Sequence, residues 1–110
     1  MPFETAPTYI FASNDCHIAL DRMAKAQYAW CQCFAAFIPD HMPADWGWQV
    51  FCAVRDFFQS QLIEHAALIE QVHDARDIRG IVDSGKCAGM FTVEGGSFIE
   101  GSLDRLHAAA

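Results

Sequence analysis

Two apolar runs dominate the pattern of hydrophobic and polar positions along this chain. The first, residues 28–38, is almost entirely apolar and aromatic and stops at Pro39 and Asp40. The second, residues 87–93, stops at Glu94. Uninterrupted apolar runs of this length are typical of strands that are covered on both faces, as in a parallel sheet. The pattern therefore predicts two buried strands.

The stretches around the first run have helical spacing instead. Residues 15–27 predict a short helical segment. A long amphipathic helix is predicted to begin at Pro43, with Asp45 in its first turn, where a carboxylate favours the helix dipole. Its apolar stripe recurs at three- and four-residue steps. The stripe consists of Phe51, Val54, Phe58, Leu62, His65 and Ile69.

Two further helices are predicted after the stripe. Asp74 is placed to cap a short helix that runs through Asp83, and Gly85 lies just beyond as its stop. The last helix is indicated by Leu103 and Leu106. The predicted order is therefore helix, strand, helix, helix, strand, helix, which indicates a parallel α/β arrangement.

A sheet of only two strands would leave both of its edges open. A complete (β/α)8 TIM barrel needs about 250 residues, whereas this chain has 110. We therefore expect residues 1–110 to form a single partial barrel domain of about two βα units. We also expect that its open sheet edges allow self-association.

Composition and charge narrow the classes of partner. The chain is 53% hydrophobic and 19% charged, with a net charge of −7, which is typical of a globular domain. The negative charge argues against nucleic acid or an anionic membrane as partner. The N-terminus lacks the pattern of a secretory signal, and no apolar run approaches the ~20 residues of a membrane span.

The cysteines indicate a cellular compartment and do not indicate a metal site. There are five, none in the Cys-x-x-Cys spacing of a zinc site. Cys31 and Cys33 would share one face of the first strand, where thiols are more often buried small hydrophobes than ligands. Reduced thiols fit the cytoplasm best, so we expect a cytoplasmic protein.

Glu94 is the candidate site residue because of its position. It ends the second apolar run and is followed at once by Gly95 and Gly96. α/β barrels present a metal ligand or an acid–base group in this way, with a carboxylate at the C-terminal end of a strand and glycines that turn the backbone away. Taken alone, the tripeptide fits an ordinary strand-to-loop turn better.

The wider segment of residues 77–106 closely resembles the membrane (renal) dipeptidase family of zinc metallopeptidases. That family has an Ile-Arg … Gly-Lys helix end, a strand that finishes in Val/Ile-Glu-Gly-Gly, and a Leu-x-x-Leu helix. Residues 20–23 and 33–39 are similar, more loosely, to the family's second strand and its lead-in. The positions that match in register without a gap are Ile78, Arg79, Gly85, Lys86, Ala88, Val93, Glu94, Gly95, Gly96, Leu103 and Leu106.

The resemblance implies a (β/α)8 barrel that hydrolyses dipeptides with two zinc ions at its C-terminal mouth. Glu94 occupies the position of the carboxylate that bridges both ions, and Gly95 and Gly96 support the loop beside it. A bridging anion is needed because two neighbouring cations otherwise repel one another. The family's His-x-Asp pair is absent from this chain. The histidines of the second zinc, and the assisting Asp and Arg, belong to later strands that the chain does not contain.

The resemblance therefore predicts a fragment near the N-terminal end of a dipeptidase, with Glu94 as the one metal ligand present and no catalytic residue. We expect the 110-residue chain to be silent alone. One alternative is a non-catalytic interaction module derived from the barrel. A second is a metal site that another chain completes.

The other polar and aromatic candidates have structural interpretations. His17, His41 and His73 are interpreted as loop residues, and His65 as a hydrogen-bonded histidine of the core. Trp46 and Trp48 are expected to pack between helix and barrel, with the lining of a substrate mouth as the alternative.

Overall fold

A computed structural model describes residues 19–26 and 29–110 of this protein. The prediction for residues 15–18, including His17, lies outside this part of the chain. The described residues form a parallel three-stranded sheet with helices, which confirms the parallel α/β prediction. The elements are α1 (Leu20–Ala26), β1 (Cys31–Phe37), α2 (Ala44–Glu64), β2 (Ile69–Gln71), α3 (Asp77–Asp83), β3 (Cys87–Glu94), a 3₁₀ turn (Ser97–Ile99) and α4 (Leu103–Ala109).

The sheet has the order β1-β3-β2, so β3 is the central strand. Cys31 pairs with Ala88 and Phe37 with Glu94, which aligns the whole of β1 with β3. β2 pairs only with the first part of β3, from Cys87 to Gly89. The carboxyl ends of β1 and β3 therefore meet at the same edge of the sheet.

The prediction of two strands is wrong, because β2 is a third strand. The stripe that was expected to continue through His65 and Ile69 on one helix ends earlier. α2 stops at Glu64, and His65 is its C-terminal cap, with its N–H donating to the carbonyl of Gln61. A turn follows, and Ile69 enters the sheet opposite Cys87. Ile69 is buried there. The prediction that Ile69 faces the core is therefore correct, but the residue belongs to a strand and not to the helix.

The main core lies between α2 and one face of the sheet. Phe51 is fully buried, and its ring stacks on Phe98 with a centroid distance of 5.1 Å. Phe58, also buried, packs 5.2 Å from Phe91 of β3 and 5.5 Å from Phe34 of β1. Aromatic pairs in these tilted and offset arrangements add to the stabilisation from buried area. We call this side of the sheet, with Phe34, Ala36 and Phe91, the helix face.

A smaller core cluster lies at the amino end of the sheet. Leu20 and Met23 of α1 pack there with Ile69 and Cys87, and all four are buried. Burial raises the pKa of the Cys87 thiol to about 11, with a further contribution from the nearby Cys31. This thiol therefore stays protonated at neutral pH.

The opposite side of the sheet, here called the open face, is largely uncovered. Because side chains alternate along a strand, it carries Cys31, Cys33, Ala35 and Phe37 of β1 and Met90, Thr92 and Glu94 of β3. All four of these β1 residues are exposed, and Phe37 is 60% exposed. The predictions that the first strand is covered on both faces, and that its thiols are buried, are therefore wrong. None of the described helices is long and apolar enough to cross a membrane.

Truncation of Phe51 tests the importance of the main core. We expect Phe51→Ala to lower the free energy of unfolding by about 3–5 kcal/mol, because it removes buried area and leaves a cavity. The measurement is urea denaturation followed by circular dichroism. The matched control is Ile63→Ala on the same helix, where the side chain is 80% exposed and the expected change is within about 0.5 kcal/mol. Equal losses in the two variants would contradict this packing.

Candidate functional site

Glu94 is the last residue of β3 and lies at the carboxyl edge of the sheet. Its backbone carbonyl accepts a hydrogen bond of 2.8 Å from the N–H of Ile38. This bond extends the β1–β3 ladder by one residue beyond Phe37, the register partner of Glu94. The backbone of Glu94 is therefore fixed by the neighbouring strand.

Gly95 has a conformation that other residues rarely adopt. Its φ is +102°, and a Cβ at this position would lie only 2.1 Å from the carbonyl oxygen of Ile38. Gly96 differs, since its φ is −102° and no atom lies within 4 Å of the place of a Cβ. The chain therefore needs glycine at position 95 to turn away from the sheet, whereas position 96 has room for a side chain.

The side chain of Glu94 belongs to the open face, because it alternates with Val93 and has the same orientation as Thr92 and Phe37. It is exposed. Among the described residues, no hydrogen bond or ion pair engages its carboxylate. The structure thus presents an unpaired anionic group at the end of a parallel strand.

A clamp fixes the segment after Glu94 to the start of α2. Arg105 of α4 donates from Nη1 to the carbonyl oxygen of Phe98, at 2.7 Å, and from Nη2 to the carboxylate of Asp45. Its guanidinium also lies 5.7 Å from the ring centroid of Trp48. The close approach of Phe98 to Gly47 requires glycine there, since a Cβ would lie 2.8 Å from that of Phe98. The sequence offers no signal for this clamp, because Asp45 and Arg105 are 60 residues apart.

Other polar groups follow the strands at different levels along β3. Asp40 and His41 follow β1, so they lie at the same edge as Glu94, and both are exposed. β2 ends opposite Gly89, five residues before Glu94 in the register. At ~3.3 Å per residue this places the end of β2, at Gln71, about 16 Å below Glu94 along the strand direction, and His73 lies in the bend that follows. His41 follows β1 at the edge of Glu94, whereas His73 follows the shorter β2, and the loop assignment of both is confirmed.

The turn before α3 is held by its aspartates. Asp77 accepts from the N–H groups of His73 and Asp74, at 3.1 and 2.9 Å. Asp74 pairs with Arg76, whose guanidinium and N–H keep the pKa of Asp74 below its usual value. Asp74 thus acts in the turn, whereas the helix itself begins at Asp77.

His65 and the tryptophans complete the sequence candidates. His65 is half-buried, and its Nε2 lies 3.9 Å from the carboxylate of Glu64 with no hydrogen bond. It is therefore a helix cap rather than a hydrogen-bonded core histidine. Trp48 packs on Phe51 and Phe98 as expected. Trp46 is 53% exposed, so the packing expectation is wrong for it.

The described residues at the carboxyl edge of the sheet supply one candidate metal ligand. In the described residues, no group of three or more His, Cys, Asp and Glu side chains is arranged to hold a metal ion. Glu94 offers one carboxylate, which is exposed and has no hydrogen bond or ion pair among the described residues. A two-metal site would need donors in addition to these.

Comparison with known proteins adds no assignment. No protein-family model matches the chain, and no curated protein matches it significantly. The class of protein that the structure defines is therefore a small parallel α/β unit, with a carboxylate at the carboxyl edge of its sheet.

The two glycines after Glu94 can be tested as a pair. We expect Gly95→Ala to destabilise the fold by about 1–3 kcal/mol or more, because it forces a side chain into a positive φ and against Ile38. We expect Gly96→Ala to be neutral or to stabilise by up to about 1 kcal/mol, since the unfolded chain loses freedom. Urea midpoints at constant m-value report both changes. A larger loss at position 96 than at 95 would contradict this turn.

Proposed function

We propose that this chain contributes a metal-binding carboxylate, Glu94, to a dizinc dipeptidase. The observation that carries the proposal is the exposed, unpaired carboxylate at the C-terminal end of a parallel strand. In the segment that resembles the membrane dipeptidase family, Glu94 also occupies the position of the carboxylate that binds the metals. Gly95, which the turn requires, occupies the matching place beside it.

The pairing of β1 with β3 supports a partial (β/α)8 barrel in which these two strands are neighbours. β1 and β3 are parallel neighbours in full register, and α2 covers only one face of them. In such barrels helices pack outside and the opposite face turns inward, which matches the apolar open face with Glu94 at its carboxyl end. β2 covers β3 only up to Gly89. Among the described strands, the remaining edge of β3 from Met90 to Glu94 is therefore available to a further strand.

The chemistry explains why a carboxylate is needed at this place. Glu94 would hold the zinc ions with its carboxylate, and its negative charge would offset their mutual repulsion. When bound there, zinc would supply an activated water and charge stabilisation for hydrolysis of a peptide carbonyl. Glu94 itself would hold the metals without moving a proton.

We infer that the 110-residue chain is silent by itself, because a single carboxylate does not hold two zinc ions. The proposal for activity therefore concerns a protein that contains this segment together with the missing ligands. Dipeptides are the substrate class that the resemblance implies, and zinc is the metal.

The experiment begins with the coding DNA on both sides of this stretch. A frame that continues upstream into a His-x-Asp strand and downstream into further histidines would provide the protein in which to make Glu94→Gln. This change keeps the shape of the side chain and removes its charge. We expect bound zinc to fall and dipeptide hydrolysis to drop by at least about a hundredfold, since even an outer partner of a ligand contributes 10–100-fold.

Glu100→Gln is the matched control. Glu100 is exposed in the turn before α4, six positions after Glu94, so the substitution should leave zinc content and hydrolysis unchanged. Unchanged activity in Glu94→Gln would refute the ligand assignment. Dipeptide hydrolysis by the purified 110-residue chain with zinc would contradict its silence. Stop codons that bound the frame on both sides would count against the enzyme and favour the second candidate.

The second candidate is an interaction module, favoured by the exposed apolar surface of β1. Phe37, Cys31, Cys33 and Ala35 are all exposed, and among the described strands β1 is an edge strand without a charged residue. Natural edge strands usually carry charges that prevent pairing with other chains. Such a strand would bind a second copy or a partner by strand addition.

Self-association of the isolated chain tests this candidate. We expect concentration-dependent dimers or larger species in analytical ultracentrifugation, and we expect Ala35→Lys to shift them to monomer by placing a charge on β1. The control is Ala53→Lys on α2, at an exposed position away from the sheet. A chain that stays monomeric at all concentrations would contradict self-association through this strand.

A further inference from the structure

Three sulfur-containing side chains, those of Cys31, Cys33 and Met90, lie on the open face of the sheet. The thiol of Cys31 donates to the thioether sulfur of Met90, with the two sulfurs 3.7 Å apart. Cys33 is the register partner of Met90 on the neighbouring strand. Since register partners point to the same side of a parallel sheet, the side chain of Met90 lies beside both cysteines.

The strand geometry keeps the three sulfurs within reach of one small ion. Cys31 and Cys33 are two residues apart, so their Cα atoms are separated by roughly 6.6 Å along the strand. Met90 lies on the adjacent strand about 4.8 Å away, opposite Cys33 and in sulfur contact with Cys31. The three side chains reach a common ion by a change of rotamer.

The two thiols differ from the other described cysteines in their access to solvent. Cys31 and Cys33 are exposed, whereas Cys87 is buried and Cys52 is half-buried on α2. An exposed thiol can lose its proton to a metal without the cost of creating a charge in an apolar interior. Access and clustering therefore coincide at Cys31 and Cys33.

We propose that Cys31, Cys33 and Met90 form a binding site for monovalent copper. Two thiols and one thioether are soft ligands, which select Cu(I) over harder divalent ions. Binding one Cu(I) releases both thiol protons and leaves a site of net charge −1. The metal keeps its oxidation state, so no oxidant or reductant takes part.

The same ligand set disfavours zinc. Structural zinc takes four ligands from thiolate, imidazole and carboxylate groups. In the part of the chain that the structure describes, no group of three or more such residues surrounds these cysteines. The third donor is instead a thioether, a soft ligand that suits Cu(I). We therefore expect three-coordinate Cu(I) rather than tetrahedral zinc.

Anaerobic competition for Cu(I) against a chromogenic chelator tests the site on the whole chain. We expect one equivalent of Cu(I) to be withdrawn from the chelator. The Cys31→Ser and Cys33→Ser variants should each weaken binding by at least about tenfold, and Met90→Leu by less. Copper K-edge absorption should show sulfur neighbours only. Zinc should not displace the bound Cu(I).

Matched controls separate this site from the other sulfurs of the chain. Cys52→Ala and Met42→Leu alter sulfur residues that pack against the α2 core, and both variants should keep full affinity. Cys16→Ser is the control for the thiol outside the described residues. Circular dichroism verifies that each variant is folded. Unchanged Cu(I) affinity in the Cys31→Ser/Cys33→Ser double variant, or an equal loss in Cys16→Ser, would overturn the proposal.

The copper proposal concerns the 110-residue chain, in which the open face is exposed, and it does not rest on the proposed dipeptidase function. It uses neither Glu94 nor any ligand that the family resemblance implies, and its readout is metal affinity rather than hydrolysis. A negative result for Glu94→Gln in a dipeptide assay therefore leaves the copper proposal standing, and the converse also holds.

Discussion

The parallel pairing of β1 with β3 is the constraint on which the remaining features depend. Its register, from Cys31 opposite Ala88 to Phe37 opposite Glu94, assigns each side chain of both strands to one of two faces. On the helix face, the strand aromatics meet Phe51 and Phe58 of α2. Glu94 and the three sulfurs consequently belong to the other face. A slip of one residue along β3 would exchange the two sets, move Phe91 to the open face and remove its buried contacts with Phe51 and Phe58.

The loop after Glu94 is held at both of its ends by contacts with other elements. Gly95 passes against the carbonyl of Ile38, and Arg105 ties Phe98 to the start of α2. The guanidinium is partly buried and bonds to a carbonyl as well as to the carboxylate of Asp45, an arrangement that is stronger than an exposed ion pair. The orientation of the backbone beyond Glu94 is therefore determined by α2 as well as by the sheet.

The sequence was informative where a local pattern determines the outcome. The helix after Pro43, the strand that ends at Glu94 and the turn at Gly95 follow from capping, apolar runs and glycine. The sequence did not predict β2, because three residues are too few to show the alternating pattern of a strand. Ile69 also fitted the apolar stripe of the helix. The sequence also did not predict that one face of β1 is exposed, because an apolar run does not specify which elements cover it. The contacts of Asp45 with Arg105 and of Cys31 with Met90 join residues 60 and 59 positions apart, beyond any local pattern. The position of Glu94 was thus predictable, and its surroundings were not.

The open face carries a carboxylate donor at Glu94 and sulfur donors nearer the amino end of the strands. The distance between them determines whether they could bind the same metal ion. Met90 precedes Glu94 by four residues, or about 13 Å along β3, too far for a sulfur and the carboxylate to share one ion. The carboxylate is a hard donor suited to divalent cations, whereas the thiols and thioether are soft. Because Thr92 and Ala35 lie between the two levels on this face, neither site gains a ligand from the other. A change at Glu94 should therefore leave the sulfur cluster intact, and a change at Cys33 should leave the carboxyl edge intact.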